Sequence, residues 1–218
     1  MLDEEERLRK EIVEVSRRLY EKGFMAGTGG NVSAKLPNSR SILTTPSGVC
    51  KGYLKPSDIV KVDFEGKVIE GRLKPTSETP MHTLIYKTRP DVNAIIHAHP
   101  PFCTGFACAG MPIDSSVFPE AIVLVGEVAL VEYATPGTED LAMKVSEAAK
   151  THDALLLQNH GTVTLGASLE EAYLKTEVLE ETAQILLISS LLGGSKPLPK
   201  MEVEKIKLMT TKNERNTQ

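Results

Sequence analysis

The chain has no tryptophan, and only five tyrosines and five phenylalanines in 218 residues. It therefore lacks the material for a base-stacking surface. It has three cysteines, Cys50, Cys103 and Cys108, an odd number with no Cys-x-x-Cys pair. That usage disfavours a disulfide framework and fits a reduced, cytoplasmic protein. Positive charge is not in excess, since the formal net charge is −4. Binding to nucleic acid or to an anionic membrane is disfavoured accordingly. No apolar run approaches the roughly 20 residues of a bilayer span. The opening residues, Met1 to Glu6, are acidic and lack the basic and apolar regions of a signal peptide. Internal repeats and low-complexity segments are also missing.

What is present is enough for one folded domain. Hydrophobic residues make up 41% of the chain, sufficient for a core, and charged residues an ordinary 25%. Leu8, Ile12, Val15 and Leu19 recur at helical spacing, with Gly23 as a stop. Ser41–Thr45 and 58–64 read as strands, the second turning at Glu65-Gly66 into Lys67-Val68-Ile69. Thr76 to Pro80 reads as a helix start, followed by the apolar face Met81, Leu84 and Ile85. Further strands are predicted over 93–98, 121–125, 129–131, 153–158 and 162–166. Helices are predicted over 102–109 and 139–150, and from the capping box Ser168-Leu169-Glu170-Glu171 to Gly193-Gly194. The domain is expected over 1–195, with 196–218 a mobile C-terminal tail rich in Lys, Asn and Thr.

The chemistry centres on Asn93-Ala94-Ile95-Ile96-His97-Ala98-His99-Pro100. Side chains at i and i+2 of a strand share a face. His97 and His99 can therefore aim two imidazoles at one transition metal, although a polar strand end has the same appearance. Two other stretches can complete such a site, Thr76-Ser77-Glu78 and Gln158-Asn159-His160-Gly161. Gly27-Thr28-Gly29-Gly30-Asn31-Val32-Ser33 and Pro46-Ser47-Gly48 offer backbone N–H groups and hydroxyls that can cradle a phosphate or carboxylate, or simply form tight turns. Ser77 and Glu78 double as helix-capping residues, and helix-start N–H groups also bind anions. His82, four residues after Glu78, is open to two readings, a further ligand or a residue behind the site.

Six motifs occur in order and in register: Gly-Thr-Gly-Gly-Asn-Val-Ser, Thr-Pro-Ser-Gly, Thr-Ser-Glu, His-Ala-His-Pro, Tyr-Ala-Thr-Pro-Gly-Thr and Gln-Asn-His-Gly. Over about residues 5–192 the sequence thereby resembles the class II aldolase/adducin family. The resemblance implies an α/β fold, a three-layer α/β/α sandwich with a mixed, mostly antiparallel central sheet. It implies zinc (Zn2+) held by Glu78, His97, His99 and His160, one ion per subunit, other divalent metals also suiting these donors. It implies phosphate binding by Gly30, Asn31, Ser47, Gly48, Thr76 and Ser77. It also implies a homotetramer with active sites at subunit interfaces.

The activity implied is cleavage of a ketose 1-phosphate into dihydroxyacetone phosphate and a small aldehyde. Fuculose, ribulose and 5-deoxyribulose 1-phosphates are the candidate substrates. The ion would act as a Lewis acid, so no lysine Schiff base is required. Glu78 would be the acid/base, moving a proton at C3. Other family chemistries on the same ligands are methylthioribulose-1-phosphate dehydration and pentulose-phosphate 4-epimerisation. A non-catalytic, adducin-like scaffold has no need of all four ligands. One departure concerns the tyrosine that the family's fuculose-phosphate aldolases take from a neighbouring subunit. Phe118 stands at that position here, and Glu120 or Tyr133 is left as its substitute or Phe118 as a wall of the pocket.

Overall fold

The computed structural model describes residues 3–216. Its frame is an eight-stranded sheet, and the order of strands places the site. The strands are β1 (Asn31–Lys35), β2 (Ser41–Thr44), β3 (Val60–Asp63), β4 (Val68–Glu70), β5 (Ala94–Ala98), β6 (Val128–Val131), β7 (Ala154–Leu157) and β8 (Gly161–Gly166). They lie in the order β4-β3-β2-β1-β5-β8-β7-β6. Every neighbouring pair is antiparallel except β6 with β7. Strand β5 thus runs in the middle, with Asn31 of β1 opposite His97 on one side and Val163 of β8 opposite it on the other.

Among the described residues there are seven α-helices, α1 (Glu4–Glu21), α2 (Thr79–Thr88), α3 (Pro101–Ala109), α4 (Pro119–Leu124), α5 (Glu139–Ala149), α6 (Leu169–Leu191) and α7 (Lys200–Asn216), and they flank the sheet on both faces, α7 lying on α4. On one face Met81, Ile85 and Tyr86 of α2 and Leu141 and Val145 of α5 pack on Ile95, Leu155, Val163 and Leu165. On the other, Ile12, Val15 and Leu19 of α1 and Ala172 and Tyr173 of α6 pack on Val32, Ala34 and Ile96. Farther along that face, Cys103, Leu179 and Ala183 pack on Ala154 and Leu156. Ile95 and Ile96 point to opposite sides, as the two-residue period of a strand requires. Two helical layers enclosing one mixed, mostly antiparallel sheet make the three-layer α/β/α sandwich.

The helix starts follow their caps. Ser168 accepts from the Glu171 N–H, the first half of the box read in the sequence, while the Glu171 carboxylate accepts from the N–H of Ala167, one residue before the cap. Thr138 accepts from Leu141 N–H at the start of α5. Two segments differ from expectation. Residues 121–125 are not a strand: Pro119 opens helix α4, and Ala121 and Ile122 are its buried side. A short β-branched apolar run does not distinguish the two states, and the proline at the first helical position decides it. The tail expected from 196 onward is helical over Lys200–Asn216 and lies against α4, with Leu198 N–H donating to Ser116 C=O. Among the described residues no helix is long and apolar enough to cross a membrane.

Candidate metal centre

Strand pairing brings the motifs together. His97 is the fourth residue of β5 and shares its face with Ile95, towards α2. His99 follows two residues later, its N–H held by Phe24 C=O. His160 immediately precedes β8, in a turn that Asn159 makes with φ of +54°. Asparagine is among the few residues that enter that left-handed region readily. Gly161 is required next to it, because a Cβ there would stand 2.4 Å from Ala98 O and 2.5 Å from His99 Cδ2. Gly30 is similarly constrained: its φ is +71°, and a Cβ there would come within 2.9 Å of His97 O. The β1 entry therefore lies directly against the histidine strand.

The three imidazoles form one cluster. Ring centroids are 4.8 Å apart for His97–His99, 4.5 Å for His97–His160 and 5.4 Å for His99–His160. One nitrogen from each lies within 4.8 Å of the others, a grouping that could hold a metal ion. Glu78, at the N-terminus of α2, completes the set. Its Oε2 is 3.1 Å from His97 Nε2 and its Oε1 is 3.6 Å from His160 Nε2.

The protons in this cluster can be placed. His97 Nδ1 lies 2.9 Å from Thr162 C=O, an acceptor only, so Nδ1 carries the hydrogen. Burial and then the neighbouring His99 hold the His97 pKa down to about 3. Burial and then His97 hold His160 down to about 4, and burial lowers His99. His97 is thus neutral at pH 7, with a lone pair on Nε2 facing an oxygen of Glu78. That nitrogen meets Glu78 Oε2 at 3.1 Å and His99 Nε2 at 3.0 Å. Glu78 Oε1 and His160 Nδ1 are buried with no hydrogen-bond partner. A cation between His97 Nε2 and Glu78 would answer the facing acceptors and the unpartnered Oε1, and neutral imidazoles with one carboxylate are donors that suit zinc.

Of the remaining predicted residues, Gly30, Asn31 and Thr76 adjoin His97 or Glu78. Thr76 is buried, its N–H on Thr45 C=O and its Oγ1 accepting from the Glu78 N–H at 3.3 Å. Ser77 is exposed beneath Gly137 of the Thr-Pro-Gly-Thr loop. Ser47 and Gly48 are exposed, and a Pro46–Pro75 bridge joins their turn to that of Thr76. Asn31 is different from expectation in its side chain, which donates from Nδ2 to Glu78 Oε2 at 2.8 Å. His82 lies outside the imidazole cluster and contacts Asn31 and Ser33. Lys51 escaped the sequence reading altogether. It is buried, and its Nζ donates to Thr28 C=O at 3.0 Å and Val49 C=O at 2.8 Å, tying two of the Gly/Ser loops together. Nothing in the local sequence marks it, since both partners are carbonyls of loops. Phe118 precedes α4, Glu120 lies in its exposed first turn, and Tyr133 is exposed.

Comparison with known proteins identifies the family. Residues 10–187 match the family model described as Class II Aldolase and Adducin N-terminal domain. The chain is 43% identical over 176 residues to an L-fuculose phosphate aldolase of Methanococcus vannielii, covering 81% of this chain and 93% of that one. It is 35% identical over 188 residues to a 3-oxo-tetronate 4-phosphate decarboxylase of Escherichia coli, covering 84% and 88%. A solved structure titled L-fuculose 1-phosphate aldolase superimposes with a TM-score of 0.89 at 34% identity, covering 97% of this chain and 98% of that one. The chain belongs to the class II aldolase and adducin family and is one of its lyase enzymes.

Proposed function

We propose that the chain is a zinc-dependent aldolase that cleaves a ketose 1-phosphate into dihydroxyacetone phosphate and a small aldehyde. L-fuculose 1-phosphate or a related pentulose or deoxypentulose 1-phosphate is the substrate. The observation that carries this reading is the Glu78 carboxylate facing the His97 lone pair at 3.1 Å beside two more imidazoles. Glu78, His97, His99 and His160 would hold the ion. When bound, the ion supplies Lewis acidity for the negative charge that develops on the sugar's carbonyl and neighbouring hydroxyl oxygens.

The residues of the chain do the rest. The Gly30–Asn31, Ser47–Gly48 and Thr76–Ser77 segments bind the phosphate through backbone N–H groups and hydroxyls. Breaking the C3–C4 bond turns the C4 hydroxyl into an aldehyde and leaves the electron pair at C3. Glu78 delivers the proton that C3 then takes up, and in the condensation direction it removes that proton. Its Oε1, which has no hydrogen-bond partner, is the oxygen available for this transfer. The Glu120 carboxylate accepts the C4 hydroxyl proton, or the Tyr133 hydroxyl relays it to solvent, since Phe118 has no group for it, and solvent in turn supplies the proton that Glu78 carries to C3. The working form is a cytoplasmic homotetramer with sites at subunit interfaces, as in the family. The boundary between the catalytic domain and its tail falls at 195.

A second reading is favoured by the 35% identity to the decarboxylase. There the bond broken joins C2 to a carboxylate, and the electron pair again comes to rest beside a carbonyl. The test incubates the metal-loaded protein with a panel of ketose 1-phosphates and with a 3-oxo-tetronate 4-phosphate. Dihydroxyacetone phosphate is expected from the first group. Carbon dioxide from the second alone would replace the aldolase by the decarboxylase. Dehydrated or epimerised sugar, without triose phosphate, would replace it by the dehydratase or the 4-epimerase.

A further inference from the structure

One fully buried titratable side chain stands behind the metal cluster and takes no part in it. His82 lies on α2, one turn after Glu78, with both ring nitrogens engaged. Its Nε2 is 2.5 Å from Asn31 Oδ1, and its Nδ1 is 2.6 Å from Ser33 Oγ. Ser33 Oγ is in turn 2.9 Å from the Tyr86 hydroxyl, and that hydroxyl also reaches Ser33 C=O at 3.1 Å. At the other end Asn31 Nδ2 donates to Glu78 Oε2 at 2.8 Å.

The chemistry of donors and acceptors fixes the direction of this chain. The Asn31 NH2 group faces Glu78 Oε2 and its Oδ1 faces His82. That Oδ1 only accepts, so His82 Nε2 carries a hydrogen. Burial holds the ring neutral, its pKa down to about 3, so Nδ1 is bare and accepts from the Ser33 hydroxyl. With that proton committed, the Tyr86 hydroxyl is the donor towards Ser33. Every link runs the same way, from Tyr86 through Ser33, His82 and Asn31 to Glu78.

We propose that His82 is a positioning residue for the reaction: it locks the Asn31 amide so that an N–H, not a carbonyl oxygen, meets Glu78. Oxygen and nitrogen of an amide are nearly the same size, and an unlocked Asn31 can present either. The wrong face would set two acceptors together and push the carboxylate out of place. The correct face pins Oε2 beside His97 and leaves Oε1 as the oxygen that transfers the proton. The proposal rests on the acid/base role of Glu78 stated above.

Nitrogen-15 NMR of the metal-free wild-type protein at neutral pH tests the lock without any activity. A hydrogen on His82 Nε2 and a bare Nδ1 are expected, and the opposite tautomer overturns the proposal. In the metal-loaded enzyme, H82L should lower kcat about tenfold or more while KM and bound metal stay within about twofold. H82Q, whose amide can donate to Asn31, should recover most of that loss. An H82L enzyme with wild-type kcat, or one in which only KM rises, overturns the proposal. Should H82L not fold, H82N takes its place, since its shorter amide falls short of Asn31. If the wild-type enzyme cleaves no sugar phosphate, the aldolase reading fails by itself and the tautomer decides this one.

Discussion

The imidazole side and the loop side of the site are held by different means. His97 stands inside a strand paired on both edges, and its ring is oriented by a carbonyl of the adjacent strand. His160 enters through a turn whose geometry Asn159 and Gly161 fix. The segments around Thr28 and Val49, in contrast, meet through the ammonium group of Lys51. Among the described residues no carboxylate pairs with that cation, and burial lowers its pKa to about 8. Ligands that must converge within tenths of an ångström are built on a sheet. The donors proposed for a phosphate tolerate more play, and a buried positive charge between two loops is enough to gather them.

The largest effects should come from the rigid side. His97→Ala should lose bound metal and activity together, by metal analysis and assay. Full metal content in that variant would mean the ligands are elsewhere. Glu78→Gln should fold and yet lose turnover by about 10²- to 10⁴-fold, the range of a missing acid/base. Wild-type rates would end its assigned role. Gly161→Ala comes next, because its Cβ would collide with the Ala98 backbone and with His99. A stability loss of about 2–4 kcal/mol in denaturant titrations, with weakened metal binding, is expected.

On the loop side Lys51→Met should raise KM for the phosphorylated sugar about tenfold, and the inhibition constant of inorganic phosphate with it. The melting point should move little, since methionine keeps the apolar stem and the cost of burying a charge disappears. A lost fold with unchanged phosphate affinity would reverse the contrast between the two sides. A separate effect is that of pH on the metal-free protein. His82 has a folded pKa of about 3 and an ordinary value of 6.5 when unfolded. The unfolded chain therefore binds the extra proton below pH 6.5. Stability is complete above that pH and falls as pH drops towards 3, by up to about 1.4 kcal/mol per pH unit. Melting curves between pH 7 and 5 should show the slope, and H82Q should reduce it, His97 and His160 keeping the remainder.

Much of this was legible in the sequence because it is local. The capping box at Ser168 and the cap at Thr138 each lie within four residues of what they specify. The alternation of His97 and His99 follows from strand geometry alone. What was not legible depends on partners distant in the chain. Asn31 looked like part of a glycine-rich loop, but it begins β1, and pairing with β5 brings its amide to Glu78. The spacing of Glu78 and His82 places them on one helix face, but Ser33 and Asn31, which define what His82 does there, come from β1. Residues 121–125 read as a strand because a short apolar run fits either state, and Pro119 at the first helical position makes them helix α4.

The residues that converge on the cluster belong to segments that meet only after β1, β5 and β8 have paired. A partly folded chain, or a fragment, holds no such constellation. An ion bound there would accordingly discriminate between the native protein and everything else, adding about 1.4 kcal/mol for each tenfold rise in its free concentration above the dissociation constant. Metal supply would then set how long each molecule survives proteolysis as well as how fast it turns over, and a chelator would shorten its lifetime.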